Sequence, residues 1–122
     1  MIDLCVVNYN TRPLLERLLD TLHAGLDEGN KFWDLYVADN DSSDDTLDWF
    51  KGNDDRYLID RIDLNKNIGY SAAINKLATR GSNSVIGILN ADVWFTNDDI
   101  RKICQIFNQE PDVHILGPKQ RD

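Results

Sequence analysis

Two cysteines in 122 residues exclude a disulfide-dense scaffold. Cys5 and Cys104 each sit inside an apolar run, where they read as small buried thiols, and a reduced, cytoplasmic setting is expected. Histidine is equally scarce. Neither His23 nor His114 has a serine, cysteine or carboxylate partner evident along the chain, so a hydrolase triad and a His/Cys metal site are not expected. Basic residues are outnumbered, 13 Lys and Arg against 21 Asp and Glu, for a net charge of -8. Such a surface repels phosphate backbones and argues against general nucleic-acid binding. No apolar stretch approaches the roughly 20 residues of a membrane span. The first residues lack a basic region followed by a long apolar run, so neither a signal peptide nor a membrane span is expected. Both familiar phosphate loops, Gly-x-x-x-x-Gly-Lys-Ser/Thr and Gly-x-Gly-x-x-Gly, are missing.

What remains is an ordinary globular composition, 42% hydrophobic and 28% charged, in a length that suits one domain over residues 1–122. A domain of this size buries roughly two-thirds of the surface its unfolded chain exposes. Short β-branched runs alternate with helical periodicity. Strands are predicted at Ile2–Val7, Phe32–Ala38, Tyr57–Ile62, Val85–Leu89 and Val113–Leu116. Between them, Leu14, Leu15, Leu18, Leu19 and Leu22 mark one helix, with Thr11 as its N-cap and Pro13 in its first turn. Ser42 or Ser43 is placed to cap a short helix carrying Leu47, Trp49 and Phe50. Tyr70–Thr79 makes a helix whose small residues allow close packing on a sheet. Thr96 with Asp99 forms a capping box before Ile100, Ile103, Cys104 and Phe107. Trp33, Trp49 and Trp94 read as packing residues. The alternation implies right-handed crossovers and a mostly parallel sheet with helices on both faces.

In such sheets ligands bind beyond the carboxyl ends of the strands. The conspicuous polar residues lie there: Asn8-Tyr9-Asn10, Asp39-Asn40-Asp41, Asn65 to Gly69, and Asn90-Ala91-Asp92. Asp39, Asp41, Asp44, Asp45 and Asp48 do not make an EF-hand loop. Counting from Asp39, the sixth position is Asp44 rather than glycine and the twelfth is Phe50 rather than glutamate. Asp44 and Asp45 instead suit a helix N-terminus. Asp39 ends a strand at the rim, Asp92 can project from the rim toward a metal, and Gly69 permits positive φ or close backbone approach to an anion. Tyr9 is the best-placed aromatic for stacking.

Taken in order, Val6-Val7-Asn8-Tyr9-Asn10, Val37-Ala38-Asp39-Asn40-Asp41-Ser42-Ser43-Asp44, Asn67-Ile68-Gly69-Tyr70, Asn75 and Leu89-Asn90-Ala91-Asp92-Val93 resemble the family 2 glycosyltransferases, over nearly the whole chain. The pattern looks most like their rhamnosyltransferase-like branch. The resemblance implies the GT-A fold, an α/β three-layer sandwich, and an inverting transfer of sugar from a nucleotide diphosphate to an acceptor hydroxyl. It implies that Asn8, Tyr9 and Asn10 border the base, that Asp39 and Asn40 read base or ribose, and that Asn67 and Gly69 pass close to the diphosphate or base. Asn90 would contact ribose or donor sugar, and Asp92 would hold Mn2+ or Mg2+. The donor would be UDP-, dTDP- or GDP-linked, with the acceptor left open. Two positions depart from the pattern: Asn40 stands where many relatives carry Asp, and Asn90 replaces the first acid of Asp-x-Asp. No residue matches the general base, which in the family belongs to an acceptor-binding half beyond this stretch. A missing C-terminal half or a partner such as a second copy is expected to complete catalysis. The alternative is a nucleotide-binding regulatory module without transfer activity. A sugar nucleotidyltransferase is disfavoured because Asn8-Tyr9-Asn10-Thr11-Arg12 is not its Gly-rich basic loop.

Overall fold

The computed structural model describes residues 1–27 and 29–119. Its elements run β1 (Ile2–Asn8), α1 (Arg12–His23), β2 (Trp33–Asp39), α2 (Thr46–Phe50), β3 (Ile59–Asp63), α3 (Tyr70–Ala78), β4 (Val85–Asn90) and α4 (Asn97–Gln109). The four strands form one all-parallel sheet in the order β3-β2-β1-β4. The chain builds outward from β1 to β3, then crosses back to place β4 on the other side of β1. That reversal makes the β1–β4 boundary a topological switch point, where a crevice opens beyond the strand ends.

Alternation along each strand decides which layer each side chain enters. From β1, Ile2, Leu4 and Val6 face the larger cluster, as do Trp33, Leu35 and Val37 from β2. There they meet Leu15, Leu18, Leu19 and Leu22 of α1, Phe50 of α2 and Ile100 of α4, all buried. Cys5 and Ala38 face the other way, against Ala73, Ile74 and Leu77 of α3. The small Ala73 and Ala38 let α3 lie close to the sheet. Helices therefore cover both faces, as a parallel sheet requires. Burial pushes the Cys5 thiol up to about 11, with the nearby Asp3 adding to the effect, so it is an inert packing group.

At the amino end of the sheet, buried Asp3 accepts from Asn83 twice, through the backbone N–H at 3.2 Å and Nδ2 at 2.7 Å. The same amide also donates to Asp34 at 2.9 Å. The chain passes so close that a Cβ on Gly81 would lie 2.1 Å from Asp3 Oδ2. This clamp sets where β4 enters beside β1.

The capping box at α4 forms as expected. Thr96 Oγ1 accepts from the Asp99 N–H at 3.0 Å, and Asp99 Oδ2 accepts from the Thr96 N–H at 2.9 Å. Several other expectations are corrected. Thr11 stands at the N-cap of α1 but makes no capping bond; its hydroxyl is turned to Asn8, donating to Oδ1. Neither Ser42 nor Ser43 caps α2; Asp45 occupies that position, and Ser42 is drawn to Asp39. Strand β3 starts at Ile59 because Leu58, with φ 56°, closes the preceding turn. Val113–Leu116 is not a strand; it has no neighbouring strand to pair with, and Ile115 stands 91% exposed. Trp33 and Trp49 pack as expected, but Trp94 is 58% exposed, with the Arg17 guanidinium 4.2 Å from its ring centroid.

Candidate functional site

The sheet register brings the polar strand ends level. Asn8 lies opposite Asp39, Asp39 opposite Asp63, and Val7 opposite Asn90. Beyond them opens a cleft of about 400 Å³. Val7, Tyr9, Thr11 and Leu14 line it from β1 and the start of α1, and Asn40 lines it from β2. Asn67 and Tyr70 line it from the entry to α3, and Asn90, Ala91 and Asp92 from the end of β4. Four separate connections thus converge on one crevice at the switch point. A smaller hollow of about 160 Å³, beside the residues leading into β2, is lined by Asn30, Phe32, Asn97 and Arg101 among others and gathers no comparable set.

Not every residue expected at the rim faces this cleft. Asn8 is wholly buried and acts as a knot. Its Nδ2 lies 3.1 Å from Asp39 Oδ1, 3.1 Å from Thr46 Oγ1 and 3.3 Å from Ser42 Oγ, while its Oδ1 accepts from Thr11 at 2.6 Å. Asp39, 1% exposed, spends its other oxygen on the Ser42 N–H at 3.0 Å. A buried carboxylate needs such donors to offset lost hydration. Asn10, in the left-handed region at φ 53°, accepts from the Ser43 and Asp44 N–H groups at 2.7 and 3.1 Å. These three residues hold the β1 and β2 connections against each other from behind the cleft. Burial works to raise the Asp44 carboxyl, but hydrogen bonds from Thr46 and from the Arg12 N–H outweigh it and hold Asp44 below its ordinary value. Asp44 thus serves the turn into α2, as its place before that helix suggested.

The residues that do line the cleft form a second network. The Asn40 amide donates to Asn67 Oδ1 at 3.1 Å and accepts from the Ile68 N–H at 2.9 Å. Asn67 Oδ1 also accepts from the Gly69 N–H at 2.9 Å. Gly69 itself has φ 84°, which any Cβ would strain, and starts α3. The Tyr70 hydroxyl donates to Asn90 Oδ1 at 3.0 Å. Burial pushes the Tyr70 hydroxyl up from its ordinary value, so it stays protonated as a donor. Tyr70 is part of the sequence motif, which gives it no role. Its bond spans 20 residues, and only its place after the Asn67-Ile68-Gly69 turn marks it.

Asp92 is the one carboxylate among the lining residues, and no lysine or arginine joins it. Among the described residues no group of three or more His, Cys, Asp or Glu side chains could enclose a metal. A lone carboxylate can hold a magnesium- or manganese-type ion only together with ligand phosphates and waters. It does not fit a caged structural ion. No helix among the described residues is long and apolar enough to cross a membrane.

The model of the family described as Glycosyl transferase family 2 matches residues 3–121. A protein of Bacillus subtilis (strain 168), named "Putative teichuronic acid biosynthesis glycosyltransferase TuaG", is 28% identical over 105 residues, covering 84% of this chain and 40% of that protein. Among solved structures, S. aureus TarS 1-349 superposes with a TM-score of 0.76 at 16% identity, over 90% of this chain and 33% of TarS 1-349. TarS 1-349 has also been crystallised with UDP-GlcNAc. The mannosyltransferase PcManGT from Pyrobaculum calidifontis, in complex with GDP-Man and Mn2+, superposes with a TM-score of 0.63 at 21% identity, over 77% of this chain and 28% of that one. The solved structures share the GT-A-type α/β fold, and the chain spans 40% or less of each of these relatives. With a parallel sheet of this order, a cleft at its switch point and a family match over residues 3–121, the chain belongs to glycosyl transferase family 2.

Proposed function

We propose that the cleft beyond β1 and β4 binds the nucleotide and diphosphate of a nucleotide diphosphate sugar, the donor half of a glycosyl transfer to an acceptor hydroxyl. The observation that carries this reading is the convergence of four strand-end connections on one crevice whose lone carboxylate is Asp92. TarS 1-349 with UDP-GlcNAc and PcManGT with GDP-Man and Mn2+ support it as structural neighbours with sugar nucleotides bound. The donor is a UDP-, dTDP- or GDP-linked sugar. Asp39-Asn40 together with Asn90-Ala91-Asp92-Val93 keeps the rhamnosyltransferase-like branch as the finer reading of the family.

Residue roles follow from placement. Tyr9, 48% exposed at the mouth of the cleft, offers a face for the base. Asn40 and Asn67 meet base or ribose, and Asn90 meets ribose or sugar. Gly69 lets the loop approach the ligand backbone-first. Asn8, Asn10 and Asp39 act at one remove, holding these loops in register. Asp92 would hold Mn2+ or Mg2+, which when bound supplies Lewis-acid stabilisation of the departing diphosphate. With no cationic side chain in the lining, diphosphate charge is otherwise met only by amide and hydroxyl donors.

An acceptor hydroxyl must lose its proton as it attacks, which calls for a carboxylate base. With Asp92 committed to a metal, the lining residues leave no second carboxylate for that task. The described lining residues thus bind donor and offer no base, which another part of the protein or a partner would supply. The same observation favours, as a second reading, a nucleotide-binding module that regulates rather than transfers. A thermal-shift panel of UDP-, dTDP- and GDP-sugars with and without manganese tests the binding claim. A melting temperature raised by one class and enhanced by manganese is expected, and no shift with any of them contradicts it.

A further inference from the structure

The cleft asparagines are not free to turn. A backbone N–H can only donate, so an amide side chain facing one must present its oxygen. Ile68 N–H fixes Asn40 in this way and Gly69 N–H fixes Asn67, each at 2.9 Å. The Asn40 Nδ2 then donates to Asn67 Oδ1, which closes the pair and leaves it no alternative flip. At the far side of the cleft the Tyr70 hydroxyl takes up Asn90 Oδ1. Asn67 Oδ1 accepts two bonds and so has both lone pairs used within the protein, whereas Asn40 Oδ1 and Asn90 Oδ1 accept one each. The polar groups Asn67 has left are therefore its two amide hydrogens alone.

We infer that Asn67, its oxygen locked by Gly69 N–H and by Asn40, is a specificity element that meets the ligand through N–H donors alone, so that the part of the nucleotide lying there must present hydrogen-bond acceptors. This rests on the reading of the cleft as a nucleotide site and sharpens it. An aspartate at position 67 would offer an acceptor to a base N–H; Asn67, with its oxygen held by both Gly69 N–H and Asn40 Nδ2, offers none. The acceptor it meets is a base carbonyl or ring nitrogen, or a ribose or phosphate oxygen.

Asn67→Asp isolates the claim. The new carboxylate still accepts from Gly69 N–H and from Asn40, so the loop keeps its hydrogen bonds, while the group toward the cleft changes from donor to acceptor. Ser71→Asp, exposed one residue beyond Tyr70, adds the same charge nearby without entering the cleft. Affinities for UDP, CDP and GDP are measured by calorimetry in manganese, alongside melting temperatures. Asn67→Asp is expected to weaken binding by about tenfold or more, the scale of a hydrogen bond turned into an acceptor–acceptor contact. Its melting temperature should not change, and Ser71→Asp should bind as wild type does. A loss differing among the three bases places the acceptor on the base; a uniform loss places it on phosphate or ribose. If Asn67→Asp lowers the melting temperature, the titrations are run well below it, where the variant is fully folded, and the same comparison applies. Wild-type binding with equal affinity in the Asp variant overturns the inference, whereas a wild type that binds no nucleotide overturns the functional reading beneath it.

Discussion

Replacing Asn8 by Asp changes one NH2 group into an oxygen at the centre of the buried knot. That group lies 3.1 Å from Asp39 Oδ1, and Asn8 has no exposed surface. Two unit charges at that separation repel by about 5 kcal/mol at an effective dielectric of about 20. Thr46 and Ser42 can turn their hydroxyls to the new oxygen only by leaving Asp44 and Asp39, so they recover only part of the loss, at most about the 1.5–3 kcal/mol of a bond to a charged group. The net expectation is a destabilisation of about 3 kcal/mol at pH 7. The variant should also acquire a pH dependence the parent lacks. A carboxyl pair this close retains a proton more strongly when folded than when unfolded, so its folded pKa is raised. The penalty is then largest above that raised value and shrinks as pH falls toward the ordinary carboxyl range. Urea unfolding of parent and variant at pH 7.5 and pH 5 measures both quantities. A variant as stable as the parent at pH 7.5, or a gap that widens on acidification, would refute the assignment of Asn8 as a buried donor to Asp39.

Gly81→Ala should cost about 1–3 kcal/mol, because its Cβ would collide with the Asp3 carboxylate and force the Asn83 clamp open; chemical denaturation reads the loss. His23, with its Nδ1 on the Leu19 carbonyl and its ring between Trp33 and Tyr57, has its pKa lowered from 6.5, chiefly by desolvation. The unfolded chain therefore takes up the proton first, so stability should fall as pH drops below about 6.5, with a flatter profile in His23→Phe. Tyr70→Phe removes the donor that orients Asn90 and should weaken nucleotide binding by about threefold to tenfold with little change in melting temperature, checked by calorimetry.

The sheet was legible because its central strands are short apolar runs bounded by polar residues, a pattern that suits a parallel strand covered on both faces. β1, β2 and β4 accordingly start and stop within a residue of expectation. The α4 capping box was legible because both partners lie within three residues of each other. Where a partner lies far along the chain, local rules failed. Ser42 has the chemistry of a helix cap, yet Asp39 and Asn8 hold it elsewhere. Thr11 is taken by Asn8 in the same way. Val113–Leu116 has strand composition without a strand beside it. At the site, the four loops and the cleft they share were readable from strand order. The division of labour within them was not: a rim position does not reveal whether Asn8 points into the knot or Asn67 toward the cleft.

Calorimetric titration of UDP, dTDP and GDP into the wild type and into Asp92→Asn, each with manganese and with a chelator, tests the central claim most directly. The account predicts that at least one nucleotide binds the wild type, about tenfold or more weakly once manganese is removed, and that Asp92→Asn binds with the same low affinity in both conditions. Binding that ignores both the metal and the substitution, or no binding of any nucleotide, would contradict it.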